Sequence, residues 1–255
     1  MIDLLTYPSG LRVVVDRVDT VQTVCAGIWV GSGSVNEHID DNGIAHFTEH
    51  MLFKGTDKLS AYDIADKFES VGAAINAFTS KENTCYYFKC VDKYTEVCFS
   101  TLADAFFDSA FDKVELDKER KVIIEEINMG EDSPEDLCFD LIASVNYGTH
   151  PLGRRILGTI DNVSRFDKES IHKYMGSNYV ASNIVLSFCG NIDASTVDKI
   201  VQKTFAGRTL NAKFGAPKLQ RVGAFANKCD KYIKDFEQAK IIVNSPSIDF
   251  GSKEA

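Results

Sequence analysis

Two histidines and a glutamate within a span of five residues carry the clearest chemical signal in the sequence. His46, Glu49 and His50 form the pattern His-x-x-Glu-His in the segment GIAHFTEHMLFK. The apolar residues of this segment recur at helical spacing, and residues four apart on a helix project from one face. Two imidazoles placed in this way bind one zinc ion, and Glu49 on the same face reaches a water molecule beside it. The pattern therefore predicts a zinc centre that activates water.

A third protein ligand is required, because catalytic zinc uses three protein ligands and leaves one position for water. A carboxylate from another helix is the natural candidate. Two alternatives stay open: a chance pattern, with two exposed histidines on an amphipathic helix, and a structural zinc site. In a structural site Glu49 has no evident purpose, which favours the catalytic interpretation.

The elements around this centre follow an order that predicts an α+β fold. Strands are expected on both sides of the Pro-Ser-Gly turn near the N-terminus, in VQTVCAGIWVG, over Ile75–Thr79 and Thr84–Val91, and in IVLSFCG. Helices are expected over residues 43–54, 61–72, 168–175 and 197–205, and over 94–145 with breaks near Asp112 and at Ser133-Pro134. This order predicts a two-layer sandwich of a mixed or mostly antiparallel sheet packed against helices.

The chain divides into three parts on composition. Residues 1–206 hold the predicted zinc-bearing domain, and residues 207–228 form a polar linker with Gly and Pro and little periodicity. In residues 229–255, DFEQAKIIVNSPSIDFGS repeats the strand-then-small-residue pattern of the earlier TVQTVCAGIWVGSGSVNE. We therefore expect residues 229–255 to begin a second, similar domain.

Composition and charge exclude several classes of protein. The net charge of −9 argues against a general nucleic-acid binder. No apolar run approaches the roughly 18 residues that span a bilayer, and the N-terminus lacks the pattern of a secretory signal. The seven cysteines include no Cys-x-x-Cys pair, and most have the apolar neighbours of buried free thiols. We expect a cytoplasmic enzyme without disulfides or membrane attachment.

Three sequence blocks in order, GIAHFTEHMLFKGT, INAFTSKENTCYY and ERKVIIEEINMGEDSPED, resemble the pitrilysin and insulinase family of metallopeptidases, the M16 family. The resemblance runs from about Leu4 to Phe205 and is strongest to the β subunit of mitochondrial processing peptidase and its bacterial relatives. It implies a family N-terminal domain and a zinc-dependent endopeptidase with one zinc ion per chain. The one departure in the central motif is Thr48, where many relatives have an aliphatic residue.

The resemblance also implies a role for each residue of the centre. His46 and His50 match the zinc ligands, and Glu49 matches the general base that takes a proton from the attacking water. The third ligand, about 76 residues after the second histidine, falls on Glu126, with the adjacent Glu125 as the alternative. Glu119, seven residues before Glu126, matches a supporting glutamate and shares its helix face.

Substrate contacts follow from the same resemblance. Asn76 and Ala77 match residues that hold the substrate backbone, and the strand ending at Trp29-Val30-Gly31 is expected to pair with the peptide as an added strand. Phe53 matches an apolar pocket just after the scissile bond. Asp136 and Asp140 match acidic positions that receive an arginine before it, the alternative being a solvated helix face. His150 and His172 lie outside the motif, and we expect surface or structural roles for both.

The expected substrates are peptides or unfolded polypeptides, with basic residues favoured near the cut. Members of the resembled family are longer and face two similar domains across a chamber, so a C-terminal half or partner subunit is expected to complete the enzyme. The alternative is a non-catalytic peptide-binding or assembly subunit. Such subunits usually have a degraded metal motif, whereas His46, Glu49, His50 and Glu126 are all present here.

Overall fold

A computed structural model describes residues 2–208 and 228–248 of the chain. Six strands form one sheet in the order β1-β2-β6-β3-β5-β4. Their bounds are Ile2–Thr6 (β1), Arg12–Arg17 (β2), Thr23–Val30 (β3), Ala74–Thr79 (β4), Thr84–Val91 (β5) and Ile184–Gly190 (β6). β2 and β6 are parallel, and the other neighbouring strands are antiparallel. The sheet is therefore mixed and mostly antiparallel, as the sequence predicts.

Seven of the eight described helices come in the predicted order, and the short helix at residues 160–163 was not predicted. Their bounds are Ile44–Leu52 (α1), Ala61–Glu69 (α2), Thr95–Asp108 (α3), Lys113–Asp132 (α4), Pro134–Tyr147 (α5), Ile160–Val163 (α6), Lys168–Asn178 (α7) and Ala194–Val201 (α8). The two predicted breaks are confirmed, because Asp112 caps the start of α4 and Ser133 caps α5 with a proline at its first position. After α8, residues Gln202–Ala206 continue as a wider π-helical turn.

The helices and the sheet enclose one apolar core. Inward residues alternate along the strands, as with Tyr86, Phe88 and Cys90 of β5, and pack against buried residues of α1 and α3 such as Phe47 and Phe99. The opposite face of the sheet exposes apolar side chains, among them Cys25, Trp29 and Phe78. The fold is the two-layer α+β sandwich that the sequence predicts.

The expectation that a peptide pairs with the strand ending at Trp29-Val30-Gly31 is wrong. β3 lies inside the sheet and pairs with β5 and β6 along its whole length. The Gly31 amide also donates to the carbonyl of Asn183. The sequence around β3 does not reveal that a strand 150 residues later fills this edge. Among the described strands, β4 rather than β3 lies at the sheet edge next to α1.

The expectation of mostly buried thiols is also wrong in part. Cys85, Cys90 and Cys98 are buried, but Cys25, Cys189 and Cys229 are exposed and Cys138 is intermediate. Cys25 and Cys189 face each other across β3 and β6 on the uncovered face of the sheet. Apolar neighbours in sequence do not identify which face of a strand a residue takes, because successive side chains point to opposite faces.

Residues 228–248 form neither helix nor strand, unlike the strand expected there. Most of the expected linker, 209–227, and the C-terminal residues 249–255 lie outside the described residues. The division of the chain into domains at residue 206 therefore stays a prediction. Within the described ranges, no helix is both long and apolar enough to cross a membrane.

Candidate metal centre

The start of α1 is fixed by a buried carboxylate. Glu37 accepts hydrogen bonds from the amides of Gly43 and Ala45, at 2.9 and 2.8 Å, and from the side chain of Asn42 at 2.7 Å. Burial raises the pKa of Glu37 to about 7, although these hydrogen bonds and Arg154 act in the opposite direction. The bonds satisfy amides that the first turn of any helix leaves without a partner, and they hold the helix that carries the motif.

The apolar side of α1 packs into the core, and the side with the motif faces α4. Phe47, Thr48 and Met51 are buried, whereas His46 and His50 are partly accessible. The hydroxyl of Thr48 is buried without a hydrogen-bond partner among the described residues. The position that departs from the resembled family thus carries a polar atom that its surroundings do not satisfy.

Replacing Thr48 with Val is expected to stabilise the protein. The change removes a buried hydroxyl whose lost hydration costs about 1–3 kcal/mol, so we expect the free energy of unfolding to rise by about 1 kcal/mol. Urea denaturation of the metal-free chain measures it. Thr101→Val is the matched control, since the buried Thr101 hydroxyl donates to the Val97 carbonyl at 2.9 Å and gains nothing by removal. A loss of stability in Thr48→Val contradicts this account.

Two of the glutamates of α4 reach the histidines of α1. Glu119 and Glu126 are seven residues apart, which is close to two helical turns, so both carboxylates face α1. Glu126 Oε2 lies 3.7 Å from His50 Nε2 and 3.9 Å from His46 Nε2. The adjacent Glu125 is exposed. The structure therefore brings Glu126, rather than Glu125, to the histidines.

The arrangement of these three donor atoms suits a zinc ion. One ligand atom from each of His46, His50 and Glu126 lies within 4.8 Å of the others. The separations of Glu126 from the histidines are too long for hydrogen bonds. Ligands at usual zinc distances in a tetrahedron are about 3.4 Å apart, so a small contraction seats them around one ion. Two nitrogens and one carboxylate oxygen also match the donor set of catalytic zinc sites.

The two histidines have opposite electrostatic surroundings. Burial, with a smaller contribution from His50, lowers the pKa of His46 to about 3, so His46 is neutral near pH 7. Burial also acts to lower the pKa of His50, but the hydrogen bond with Glu119 and the charges of Glu126 and Glu49 raise it overall. Metal binding requires neutral imidazole, so a cation that binds His50 has to displace a proton which the raised pKa holds more tightly than in a free imidazole.

Glu119 orients His50 and is itself held by Lys54. Glu119 Oε2 lies 3.1 Å from His50 Nδ1, and its other oxygen lies 2.7 Å from Lys54 Nζ. Burial alone raises the pKa of Glu119, but the hydrogen bonds from His50 and Lys54 outweigh it and lower the pKa. An ionised Glu119 fixes the ring of His50 through Nδ1 and leaves Nε2 directed at Glu126.

Glu49 lies beside the three donor atoms without being one of them. Its carboxylate interacts electrostatically with His50 and Glu126, and it accepts a hydrogen bond of 2.5 Å from the hydroxyl of Thr79 at the end of β4. Burial raises the pKa of Glu49, opposed by Thr79 and His50. A raised pKa brings a carboxylate closer to the neutral range in which a general base works best.

The predicted substrate residues lie on three elements. Asn76 and Ala77 belong to the edge strand β4, and the Asn76 side chain accepts a hydrogen bond from the Ala77 amide at 2.8 Å. Phe53 follows the last residue of α1, and its ring packs edge-on against Tyr86. Asp136 and Asp140 lie one turn apart on α5, and Asp140 pairs with Arg155 at 3.1 Å.

Sequence reasoning missed three residues that the structure places in contact with predicted site residues, namely Lys54, Thr79 and Arg155. Lys54 and Thr79 lie inside the recognised blocks, but nothing in their spacing indicates contact with Glu119 or Glu49. Arg155 lies on a different segment from Asp140, and no sequence pattern indicates their ion pair. His172 and His150 are outside the centre as expected, with the ring of His172 against Phe111 and His150 Nδ1 accepting the Leu152 amide.

Residues 12–160, which contain α1 and α4, match the family model described as Insulinase (Peptidase family M16). The chain belongs to peptidase family M16. A second model, Peptidase M16 inactive domain, matches residues 165–254. The resemblance and the metalloprotease class inferred from sequence are thereby confirmed at the level of the family.

Named relatives in M16 agree with this assignment. A Bacillus subtilis protein named as the uncharacterized zinc protease YmxG is 41% identical over 251 residues, which cover 98% of this chain and 60% of that protein. An Arabidopsis thaliana protein named as a probable β subunit of mitochondrial-processing peptidase is 34% identical over 200 residues, covering 78% and 38%. The chain thus spans 60% or less of the length of these relatives.

A solved structure shows the same fold. The crystal structure of a protease from Helicobacter pylori superposes with a TM-score of 0.81 at 23% identity, covering 86% of this chain and 53% of that one. The likeness to that structure therefore covers the whole sheet-and-helix architecture.

Proposed function

We propose that the chain carries the catalytic centre of a zinc-dependent endopeptidase. The observation that carries this proposal is the convergence of His46, His50 and Glu126, which each offer one ligand atom within 4.8 Å of the others, with the half-buried Glu49 beside them. Three ligands of this type leave one position free for water or substrate. A purely structural zinc site needs no further carboxylate. Glu49, whose pKa is raised and which is not among the ligands, therefore favours a catalytic site.

The chain's own residues divide the work of peptide hydrolysis. His46, His50 and Glu126 hold one zinc ion per chain, which when bound lowers the pKa of water and polarises a carbonyl group. Glu49 takes a proton from the attacking water and passes it to the leaving amine. Thr79 orients the Glu49 carboxylate, and Glu119 with Lys54 fixes the ring of His50.

Substrate binding is proposed at the outer edge of β4, which is the last of the described strands in the sheet order. The Ala77 amide there is satisfied by the side chain of its neighbour Asn76, so a peptide strand offers a replacement acceptor and frees Asn76 to contact the peptide backbone. Phe53, at the end of α1, supplies the apolar contact after the scissile bond. Asp136 and Asp140 receive a basic side chain before it.

The substrate class is peptide or unfolded polypeptide, since an edge strand accepts only an extended chain. Because M16 relatives are longer than this chain, we propose that a further polypeptide segment, supplied in the same protein or as a partner subunit, completes the substrate chamber. The cytoplasmic location and the absence of nucleic-acid and membrane partners remain predictions from the sequence.

Metal content and cleavage of a fluorescence-quenched peptide library test the function together. We expect one zinc per chain, hydrolysis that a chelator abolishes, and recovery of hydrolysis on adding zinc back. His46→Ala is expected to lose both zinc and hydrolysis, whereas the control His172→Ala keeps both.

The assay is run with and without a polypeptide that corresponds to the remaining length of the Bacillus relative. A zinc-loaded chain that binds peptides but cleaves none in either condition supports the alternative of a non-catalytic subunit. A chain that takes up no zinc contradicts the proposal outright.

A further inference from the structure

An internal arginine lies on the acidic residues that are proposed to receive a substrate cation. We define the acidic cluster as Glu131 at the end of α4 with Asp136 and Asp140 on α5. Arg155 Nε lies 3.1 Å from Asp140 Oδ2, and Arg155 Nη1 lies 2.8 Å from Glu131 Oε1. One guanidinium therefore joins carboxylates of two helices, in the manner expected of a substrate arginine.

The backbone of Arg155 is tied to the start of α1. Its carbonyl accepts a hydrogen bond from Asn42 Nδ2 at 3.0 Å, and the same nitrogen donates to Glu37, which caps α1. The Gly158 amide also donates to this carbonyl. The backbone of Arg155 is thus held by the same hydrogen bonds that fix the start of α1. Its side chain extends from there to the acidic cluster.

The acidic cluster lies close to the metal centre along α4. Glu131 follows Glu126 by five residues, which is about 7.5 Å along a helix axis. This rise is comparable to the length of an extended arginine side chain, so the proposal places a residue beside the scissile bond within reach of the acidic cluster.

Other charges around the acidic cluster do not replace Arg155. Lys81 acts on Asp140 electrostatically, while its ammonium donates to the carbonyl of Arg154. Lys234 bonds to Asp132 and Lys240 to Glu135, on neighbouring acids. The ion pairs of Arg155 are partly exposed, with 31% of its side chain accessible, so a second cation is able to displace it.

We propose that Arg155 is a specificity-determining residue that competes with a cationic substrate side chain for Asp140 and Glu131. The inference rests on the proposed function, because it requires the acidic cluster to be a substrate subsite. With Arg155 in place, a basic side chain must break two ion pairs before it forms its own. Arg155 therefore lowers the preference of the enzyme for basic residues and admits neutral ones.

Two peptides that differ at one residue before the scissile bond test this inference. One has arginine there and the other has citrulline, which is similar in shape but uncharged. Arg155→Gln is expected to raise the ratio of kcat/KM for arginine over citrulline about fivefold, the size typical of partly exposed ion pairs, through a lower KM for the arginine peptide. Arg155→Lys retains the charge and is expected to stay near the wild-type ratio.

The control is Arg17→Gln, an exposed arginine at the end of β2, which is expected to leave the ratio unchanged. If Arg155 only braces the loop against α4 and α5, Arg155→Gln changes both peptides equally, and the proposal is overturned. Thermal unfolding of all four proteins identifies any general loss of structure.

Dissociation constants of the same peptides, measured by fluorescence anisotropy, separate this inference from the proposed function. If no protein cleaves but Arg155→Gln binds the arginine peptide more tightly by the same factor, the inference stands while the proposed catalysis fails. If the wild-type chain cleaves both peptides and Arg155→Gln changes neither the ratio of kcat/KM nor the ratio of dissociation constants between them, the function stands and the inference fails. Failure to bind either peptide overturns both.

Discussion

Glu49→Gln is expected to lower peptide hydrolysis by about 10²- to 10⁴-fold while zinc binding stays at the wild-type level. Glutamine has nearly the same shape as glutamate, and its amide oxygen still accepts the Thr79 hydroxyl that donates to Glu49 at 2.5 Å. The variant therefore keeps its local structure but has no basic oxygen to take a proton from water. The measurements are kcat on a cleaved peptide and zinc content after dialysis.

Two comparisons give the Glu49→Gln result its meaning. Glu125→Gln changes an exposed glutamate of α4 that lies beside Glu126, and hydrolysis is expected to stay within twofold of wild type, as surface substitutions have small effects. Loss of zinc from Glu49→Gln, together with normal zinc in a Glu126 variant, means that the two glutamates have been assigned the wrong roles. Full activity of Glu49→Gln removes Glu49 from the mechanism.

The parts of this molecule that sequence predicts well are those set by local rules. The helix of the motif follows from its periodicity, and the breaks at Asp112 and Ser133 follow from capping preferences that act within three residues. The seven-residue separation of Glu119 and Glu126 places both on one face for the same reason. The choice of Glu126 over Glu125 followed from the motif spacing of the resembled family. That spacing corresponds to a real contact because α4 packs on α1 with Glu126 facing the two histidines.

The parts that sequence did not reveal depend on contacts between distant segments. β6 enters between β2 and β3 from more than 150 residues away and closes the edge where peptide pairing was expected. The ion pair of Arg155 with Asp140 and the bond between Lys54 and Glu119 arise only when separate elements pack together. No periodicity or cap indicates such pairs, because the tertiary fold decides them.

The unsatisfied nitrogen of His46 adds a physical distinction between the two histidine ligands. His50 Nδ1 is held by Glu119, whereas His46 Nδ1 is buried with no partner in the part of the chain that the structure describes. An imidazole whose second nitrogen bonds a carboxylate is oriented and made a stronger ligand. The centre is therefore asymmetric, with the affinity for metal depending on the bonds that α4 makes to His50 more than on those around His46.

Glutamine substitutions at Glu119, Glu125 and Glu126 of α4 are expected to affect zinc binding in a graded order. Glu125→Gln leaves the affinity unchanged, because its carboxylate is exposed away from the histidines. Glu119→Gln lowers it by about 10- to 100-fold, the usual effect of removing a partner that orients a ligand. Glu126→Gln lowers it further, by more than about 100-fold on that scale, because it replaces the one negatively charged donor of the three with a neutral amide oxygen, which is a weaker zinc ligand.

Zinc affinity in this series is measured by competition with a chromophoric chelator, and thermal unfolding with and without zinc provides a second readout. A ligand that binds only the folded chain raises its stability in proportion to the logarithm of its affinity, so the zinc-induced rise in Tm falls in the same order. In the absence of zinc, Glu119→Gln is expected to be the least stable, since it breaks the bonds to both His50 and Lys54 inside a buried site, whereas Glu126 forms no hydrogen bond that the metal-free chain loses.

An affinity loss larger for Glu125 than for Glu126 reverses the ligand assignment. Equal losses for Glu119 and Glu126 instead make Glu119 a direct ligand, because removal of a residue that acts only through His50 leaves all three donor atoms in place.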